Sequence, residues 1–292
     1  SYEKDSNVYY KEYIYDNNFN ITDKGQVDGY RMRFLNWGYD NYYGLQDIQK
    51  YNDERYVLDR ELILNKTFYN KIFKQQGNFV NYIITYSPHT PFTTEKEVGK
   101  ILAEEKYGKG NVPKLSEEDC AKMAASETDN MVGLLIQALK DNGLYDNTVI
   151  VAYADHYLYT LDDKSILDKY KETSNNLINH TPFFIWSSDL GQLTSISKVN
   201  MQMDILPTVL NLFGIDYNSN NYIGHDILSN DFKGYAFFSD YSWYDGKVYV
   251  ENQQITNGKK MSTNKLDSMN NLISNVIKKN DLTLKYDYFK SK

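Results

Sequence analysis

A chain of 292 residues, of which 41% are apolar, is long enough to bury a full core in one large domain or two small ones. Its formal net charge of −7 argues against a general nucleic-acid-binding protein, because such a protein needs a basic face. The sequence has no run near the ~18–20 apolar residues of a membrane-spanning helix, and the polar start "SYEKDSNVYY" does not resemble a signal peptide. Its one cysteine, Cys120, cannot form an internal disulfide, and its helical surroundings predict a packing role.

The first half of the chain predicts a strand, a helix and a second strand, after loops and short elements over residues 1–55. The apolar run "NFVNYIITYS", residues 78–87, predicts a buried strand that ends at the prolines of "PHTPF". Ser116 can cap a long helix that Gly143 would close. The apolar face of this helix comprises Met131, Leu134, Leu135, Ala138 and Leu139. "TVIVAYA", residues 148–154, does not alternate and predicts a strand buried on both faces. Together these elements predict a βαβ unit with parallel strands.

The second half predicts one more core strand and a short helix, followed by a hairpin and a last helix. "PFFIWSS", residues 182–188, is a third strand, and "MDILPTVLNLFG", residues 203–214, is a short helix. Asp245-Gly246 is a hairpin turn signal between two strand-like runs. A last amphipathic helix places on one face Leu266, Met269, Ile273 and Ile277. We therefore expect an α/β domain over residues 1–232, with a small antiparallel β addition and a helix over residues 233–292 packed on it.

Polar side chains at strand ends are the candidates for chemistry, because ligands of open α/β sheets bind beyond the carboxyl ends of the strands. His89 follows the first predicted strand, and Asp155 and His156 follow the second. A carboxylate beside a neutral imidazole suits a divalent ion such as Mn²⁺ or Zn²⁺. The plainer alternative is a strand end that meets a polar loop, with His89, His180 and His225 as loop or turn residues. The sequence contains no nucleophile elbow, P-loop or dinucleotide-binding glycine motif.

The order of five segments is more specific than any one of them. They are "YIITYSPHTPF", "LKDNGLYDNTVIVAYADHY", "HTPFFIWSSDL", "MQMDILPTVLNLFGIDY" and "YIGHDILS". In this order they resemble the lipoteichoic acid synthase and phosphoglycerol transferase family, within the sulfatase and alkaline phosphatase superfamily. The resemblance, over residues 30–290, implies an alkaline-phosphatase-like α/β fold with a mainly parallel central sheet flanked by helices. It also implies an extracellular catalytic domain that is anchored behind membrane helices.

The resemblance further implies a reaction and the residues for it. In such enzymes one Mn²⁺ or Mg²⁺ assists a Thr that attacks phosphatidylglycerol, and the phosphoglycerol then passes to a growing glycerophosphate polymer. Asp155 and His156 match the metal ligands, and His89 matches a residue that contacts phosphate and assists proton transfer. Arg31, in "GYRMRFLNWGYDNYYG", matches a phosphate-binding arginine, although its spacing to Gly38 departs from the family pattern.

The departures from the family lie upstream. No segment in residues 1–30 matches the family's nucleophilic Thr or its acidic metal ligand. We therefore expect a C-terminal part of the catalytic domain, inactive by itself and connected to a membrane only through helices outside this chain. One alternative is a phosphodiesterase or other hydrolase of the superfamily, although Cys120, in "CAKMA", rules out the C-x-P-x-R sulfatase signature here. Another is a pseudo-enzyme that retains the fold as a binding module.

Overall fold

The computed structural model describes residues 39–41, 43, 58–169 and 180–290. These residues fall into two units, which divide between Thr148 and Val149, and Thr160–Asp163 belong to the first unit. The predicted division at residue 232 stays a prediction. None of the helices in the described ranges is long and apolar enough to cross a membrane.

The first unit is helical in its described part. Its helices are α1 (Glu61–Leu64), α2 (Lys66–Phe73), α3 (Glu97–Tyr107) and α4 (Glu117–Asp141), followed by a 3₁₀ turn at Tyr145–Asn147. Leu58, Val98 and Leu102 form a buried apolar cluster in this unit. Because Val98 and Leu102 lie one turn apart on α3, they place one face of that helix in the core.

Helix α4 begins and ends where the sequence predicts. The Ser116 hydroxyl accepts a hydrogen bond from the Asp119 N–H at 3.1 Å, and acidic residues occupy the first turn, where they favour the positive end of the helix. Gly143 has a φ of 66° and closes the helix. Cys120 is buried on this helix, which confirms its packing role, and burial raises the pKa of its thiol.

The predicted buried strand over residues 78–87 is wrong. The segment forms no strand with any described residue, and the exposed fractions of Val80 and Ile84 are 80% and 58%. A strand needs a hydrogen-bonded neighbour, which local sequence composition does not specify. The buried end of the segment, Ser87, is held by a side chain instead, as described below.

The second unit contains a strand pair followed by short helices and a small sheet. The pair is β1 (Val149–Tyr153) and β2 (Phe183–Ser187), with α5 (Lys164–Asp168) between them in the sequence. A 3₁₀ turn at Gln202–Asp204 leads directly into α6 (Ile205–Leu212), and a further 3₁₀ turn spans Ser219–Asn221. Both predicted strands and the predicted short helix therefore exist.

The predicted parallel arrangement is wrong for this strand pair. β1 pairs with β2 in an antiparallel register that runs from Val149 opposite Ser187 to Tyr153 opposite Phe183. The predicted parallel partner of β1, the segment 78–87, is not a strand. All ten residues of the pair keep partial or full exposure, so burial on both faces is also wrong. In the described ranges this sheet has two strands, and a run of apolar residues does not by itself specify the direction of pairing.

The C-terminal part confirms the predicted small antiparallel β addition, whereas the predicted packing of this part on the α/β domain stays a prediction. The sheet has the order β3 (Ala236–Phe237), β4 (Trp243–Tyr244), β5 (Val248–Glu251) and β6 (Gln254–Gly258). Asp245 and Gly246 form the turn between β4 and β5, where the Asp245 carboxylate accepts from the Lys247 and Val248 N–H groups. Helix α7 (Thr263–Lys285) buries Ile273 against Trp243.

Candidate active site

Asp155 and His156 lie in the loop directly after β1, with their side chains close together. Asp155 Oδ2 is 3.5 Å from His156 Nε2, and the two side chains are 84% and 40% exposed. The other carboxylate oxygen of Asp155 accepts a hydrogen bond from the His156 N–H at 2.9 Å. The carboxylate and the imidazole can therefore act on one bound group.

A second contact sets the proton arrangement of His156. Its Nδ1 is 2.7 Å from the Tyr157 carbonyl oxygen, an acceptor, so Nδ1 must carry the proton. In the neutral ring, Nε2 then presents a lone pair towards Asp155 Oδ2. A proton on the imidazole or a metal ion between the two groups would interact favourably with both. A histidine that donates one ring N–H to a carbonyl and offers the other nitrogen is the usual form of a metal ligand.

The donor set fits a divalent ion only in part. Two ligands of one ion, each at about 2.0–2.2 Å, are separated by roughly 3–3.5 Å at the usual bond angles. The spacing of Asp155 and His156 agrees with this value. Among the described residues, however, no group of three or more His, Cys, Asp or Glu side chains could hold a metal ion. The described loop thus provides two candidate ligands, where metal sites in proteins have three or more.

Gln202 holds the backbone of this loop from outside it. Its side-chain amide donates to the Ala154 carbonyl oxygen at 2.6 Å and to the Asp155 carbonyl oxygen at 2.7 Å. The residue is the first of the 3₁₀ turn that precedes α6. Sequence analysis missed it, since no local pattern marks a partner that lies 47 residues away.

A buried carboxylate holds the turn that carries Gln202. The side chain of Asp204 is fully buried and accepts from the Met201 N–H at 2.9 Å and the His225 N–H at 2.7 Å. Burial raises the pKa of Asp204, although these two N–H groups act in the opposite direction. Thr208, which is also buried, donates to the Asp204 carbonyl oxygen at 2.6 Å. Sequence analysis placed Asp204 only at the start of a helix.

A cavity of about 260 Å³ lies beside Asp155. Its walls are Tyr153, Asp155, Gln202, Ile205 and Leu206. The lining therefore combines an aspartate and a glutamine with two aliphatic residues and a tyrosine. Such a mixture suits a small ligand that has both polar and apolar parts.

His89 lies in the first unit, in a turn that follows the segment 78–87. The His89 N–H donates to the Tyr86 carbonyl oxygen at 2.9 Å, and its ring stacks on Tyr86 with centroids 5.1 Å apart. Its Nδ1 is 2.7 Å from the Thr90 carbonyl oxygen, so Nδ1 carries a proton. The residue is exposed.

Three side chains fix the backbone just before His89. Asp59 is buried and accepts from the Tyr86 N–H at 2.7 Å and the Ser87 N–H at 3.0 Å through Oδ1. Its Oδ2 accepts from the Thr128 hydroxyl of α4 at 2.6 Å. In return, the Asp59 N–H donates to the Ser87 hydroxyl at 3.0 Å. Sequence analysis missed this cluster as well.

The other predicted candidates have different outcomes. Arg31 lies outside the described residues. The His225 side chain is 55% exposed, with its ring 6.1 Å from that of Tyr235, and it is the His225 backbone N–H that donates to buried Asp204. His180 directly precedes the strand region of β2. The structure thus brings Asp155 and His156 together, and the roles of all these residues stay predictions.

Comparison with known families identifies the class of protein. The sulfatase family model matches residues 6–215, more than half of the chain, and the chain therefore belongs to the sulfatase family. Among curated proteins it is similar to the lipoteichoic acid synthase of Staphylococcus saprophyticus, with 28% identity over 236 residues, 73% of this chain and 35% of that protein. It is also similar to the lipoteichoic acid synthase of Staphylococcus aureus, with 28% identity over 253 residues, 77% of this chain and 38% of that protein.

The fold comparison agrees with the sequence comparison. The crystal structure of the lipoteichoic acid synthase LtaP from Listeria monocytogenes matches with a TM-score of 0.71 at 21% identity, over 90% of this chain and 67% of that one. This match confirms the predicted α/β, alkaline-phosphatase-like fold class, and the relatives confirm the predicted resemblance to lipoteichoic acid synthases. The chain spans little more than a third of the length of the curated relatives, 35% and 38%.

Proposed function

We propose that this chain is part of a metal-dependent phosphoglycerol transferase that acts on phosphatidylglycerol during synthesis of a lipoteichoic-acid-type polymer. The observation that carries the proposal is the pair Asp155 and His156, whose facing acceptor atoms lie at the separation of two ligands of one ion. Mn²⁺, with Mg²⁺ as the alternative, suits a carboxylate and an imidazole. The similarity to lipoteichoic acid synthases supports the substrate and the glycerophosphate polymer acceptor.

Each residue would have a distinct task. Asp155 and His156 would hold the ion, which when bound would neutralise phosphoryl charge and lower the pKa of an attacking hydroxyl. His89, when protonated at Nε2, would donate a hydrogen bond to a phosphate oxygen, and when neutral it would accept a proton at the same atom. Arg31 is a further proposed phosphate contact. We propose an extracellular position for this chain, anchored through membrane helices outside it.

The chain by itself is expected to be inactive. The proposal names two metal ligands, Asp155 and His156, and no threonine of the sequence matches the family's nucleophile. Binding can still be measured without turnover. Glycerol phosphate, the head group of the substrate, is a suitable probe because its phosphate oxygens are ligands for a divalent ion.

Titration calorimetry with glycerol phosphate, with and without Mn²⁺, tests the proposal. We expect binding that requires Mn²⁺, is lost in Asp155→Asn and His156→Gln, and is weakened in His89→Gln. Asp216→Asn and His225→Gln are matched controls, since both side chains are exposed and neither residue belongs to the loop after β1. Binding that needs no Mn²⁺, or that survives both ligand substitutions, would overturn the proposal.

A labelled phosphatidylglycerol assay separates transfer from the alternatives. Label on a glycerol phosphate polymer indicates transfer, and free labelled glycerol phosphate indicates a hydrolase. Mn²⁺-dependent head-group binding with neither product is the expected result for this chain. Robust turnover by the chain alone would show that the expectation of inactivity is wrong.

A further inference from the structure

Asp59 has a set of contacts that the packing of a core does not require. Its side chain is buried, and each carboxylate oxygen is engaged by at least one donor. Burying a carboxylate costs free energy unless donors surround it. An apolar residue could fill the same space without that cost. The carboxylate is therefore distinguished by the groups to which it is hydrogen-bonded.

Those groups are the two backbone N–H groups that lead into the His89 turn. Asp59 Oδ1 accepts from both Tyr86 and Ser87, at 2.7 and 3.0 Å. Two bonds to successive amides from one oxygen fix the path of the chain at this point. The next backbone bond, from the His89 N–H to the Tyr86 carbonyl, closes the turn on that fixed base.

The orientation of the His89 ring depends on the same base. The ring stacks on Tyr86 with an interplanar angle of 12°, and Tyr86 is the residue whose N–H Asp59 holds. The other oxygen of Asp59 is bonded to Thr128 in the middle of the 25-residue helix α4. Asp59 therefore connects the backbone at Tyr86 and Ser87 to helix α4.

We propose that Asp59, with Thr128 behind it, is the positioning residue for His89. The inference rests on the proposed function, in which the His89 imidazole contacts the substrate phosphate. Asp59 does not touch the substrate; it acts by holding the Tyr86–Ser87 backbone so that the ring of His89 has one orientation. A histidine without that support would sample several orientations and would donate to phosphate in only a fraction of them.

The test reads the His89 ring directly, by proton and nitrogen NMR of the four imidazoles in the metal-free chain, with His89→Gln for assignment. In the wild-type chain the stacked Tyr86 ring shields the His89 ring protons, and Nδ1 is the protonated nitrogen of the neutral form. In Asp59→Ala we expect the chemical shifts of the His89 ring protons and the tautomer ratio of His89 to equal those of the urea-unfolded chain.

Asp59→Asn provides the conservative rescue. The amide oxygen can replace Oδ1 as acceptor for both N–H groups, and the amide nitrogen can donate to the Thr128 hydroxyl. We expect this variant to keep the wild-type His89 signals. If Asp59→Ala does not fold, Thr128→Val decides the matter, because it removes one anchor of Asp59 and should displace the His89 signals in the same direction by a smaller amount.

Glu127→Ala is the matched control. Glu127 is a buried carboxylate of α4 that accepts hydrogen bonds from the N–H and the guanidinium of Arg60, the residue after Asp59. Equal displacement of the His89 signals in this variant, or unchanged signals in Asp59→Ala, would overturn the inference. Because the chain is read without metal or substrate, this result does not depend on whether Mn²⁺ binds at Asp155 and His156.

Discussion

Substitution of Gln202 by methionine isolates the support of the proposed metal loop from the ligands themselves. Methionine has nearly the length and volume of glutamine but donates no hydrogen bonds. The variant therefore removes the two bonds to the carbonyl oxygens of Ala154 and Asp155 and leaves Asp155 and His156 in place.

The structure sets the size of the effect. Each hydrogen bond contributes about 0.5–1.5 kcal/mol, and both bonds here are exposed, so about 1–2 kcal/mol is the expected total. If the loop of Asp155 and His156 loses its order without these two bonds, metal binding must restore that order, and the binding free energy is weakened by the same amount. Since about 1.4 kcal/mol is tenfold in a dissociation constant, we expect Mn²⁺ affinity to fall roughly tenfold.

Loss of the free Mn²⁺ signal in electron paramagnetic resonance measures this affinity. Gln137→Met is the matched control, because Gln137 also donates from its amide to a nearby oxygen, that of Asp141 on the surface of α4. We expect the control to bind Mn²⁺ as the wild-type chain does. Equal affinities for Gln202→Met and the wild type would show that the loop keeps its shape without Gln202 and would refute the reasoning.

Two further predictions concern the buried carboxylates. Asp204→Ala leaves the Met201 and His225 N–H groups without their acceptor, so the free energy of unfolding should fall by about 2–4 kcal/mol; urea unfolding followed by the fluorescence of buried Trp243 measures it. Because burial raises the pKa of Glu127 above its ordinary 4.5, the folded chain binds more protons than the unfolded chain between pH 4.5 and the raised pKa. The contribution of Glu127 to stability is therefore greatest below pH 4.5 and declines as pH rises through this window. The difference in the free energy of unfolding between the wild type and Glu127→Gln should decline in the same direction. A difference that is independent of pH would contradict the raised pKa.

The elements that the sequence predicts correctly are those fixed by local chemistry. Ser116 and Gly143 mark the two ends of α4, because a capping hydroxyl and a left-handed glycine act within one turn of the helix. The Asp245-Gly246 turn and the apolar face of α7 are local in the same sense. Patterns of this kind can be recognised without knowledge of the rest of the fold.

The wrong predictions concern features that depend on partners distant in the sequence. The run over residues 78–87 has the composition of a strand, but pairing depends on a neighbour that composition cannot name. The antiparallel direction of β1 and β2 depends on the path of the segment that connects them and not on the sequence of either strand.

The same limit applies to the candidate site. Asp155, His156 and His89 follow from their positions at segment ends and from the family resemblance. Their supports do not, since Gln202 lies 47 residues from Asp155 and Thr128 lies 69 residues from Asp59. A side chain that holds a distant backbone atom leaves no periodic signal in the sequence.

The central claim is that one divalent ion binds between Asp155 and His156. Paramagnetic broadening by Mn²⁺, at a small fraction of the protein concentration, locates the ion by the NMR signals it removes. We predict that the His156 ring signals and the amides of Asp155 and His156 broaden first. Broadening that spreads evenly over the acidic surface, or that is unchanged in Asp155→Asn, would contradict the claim.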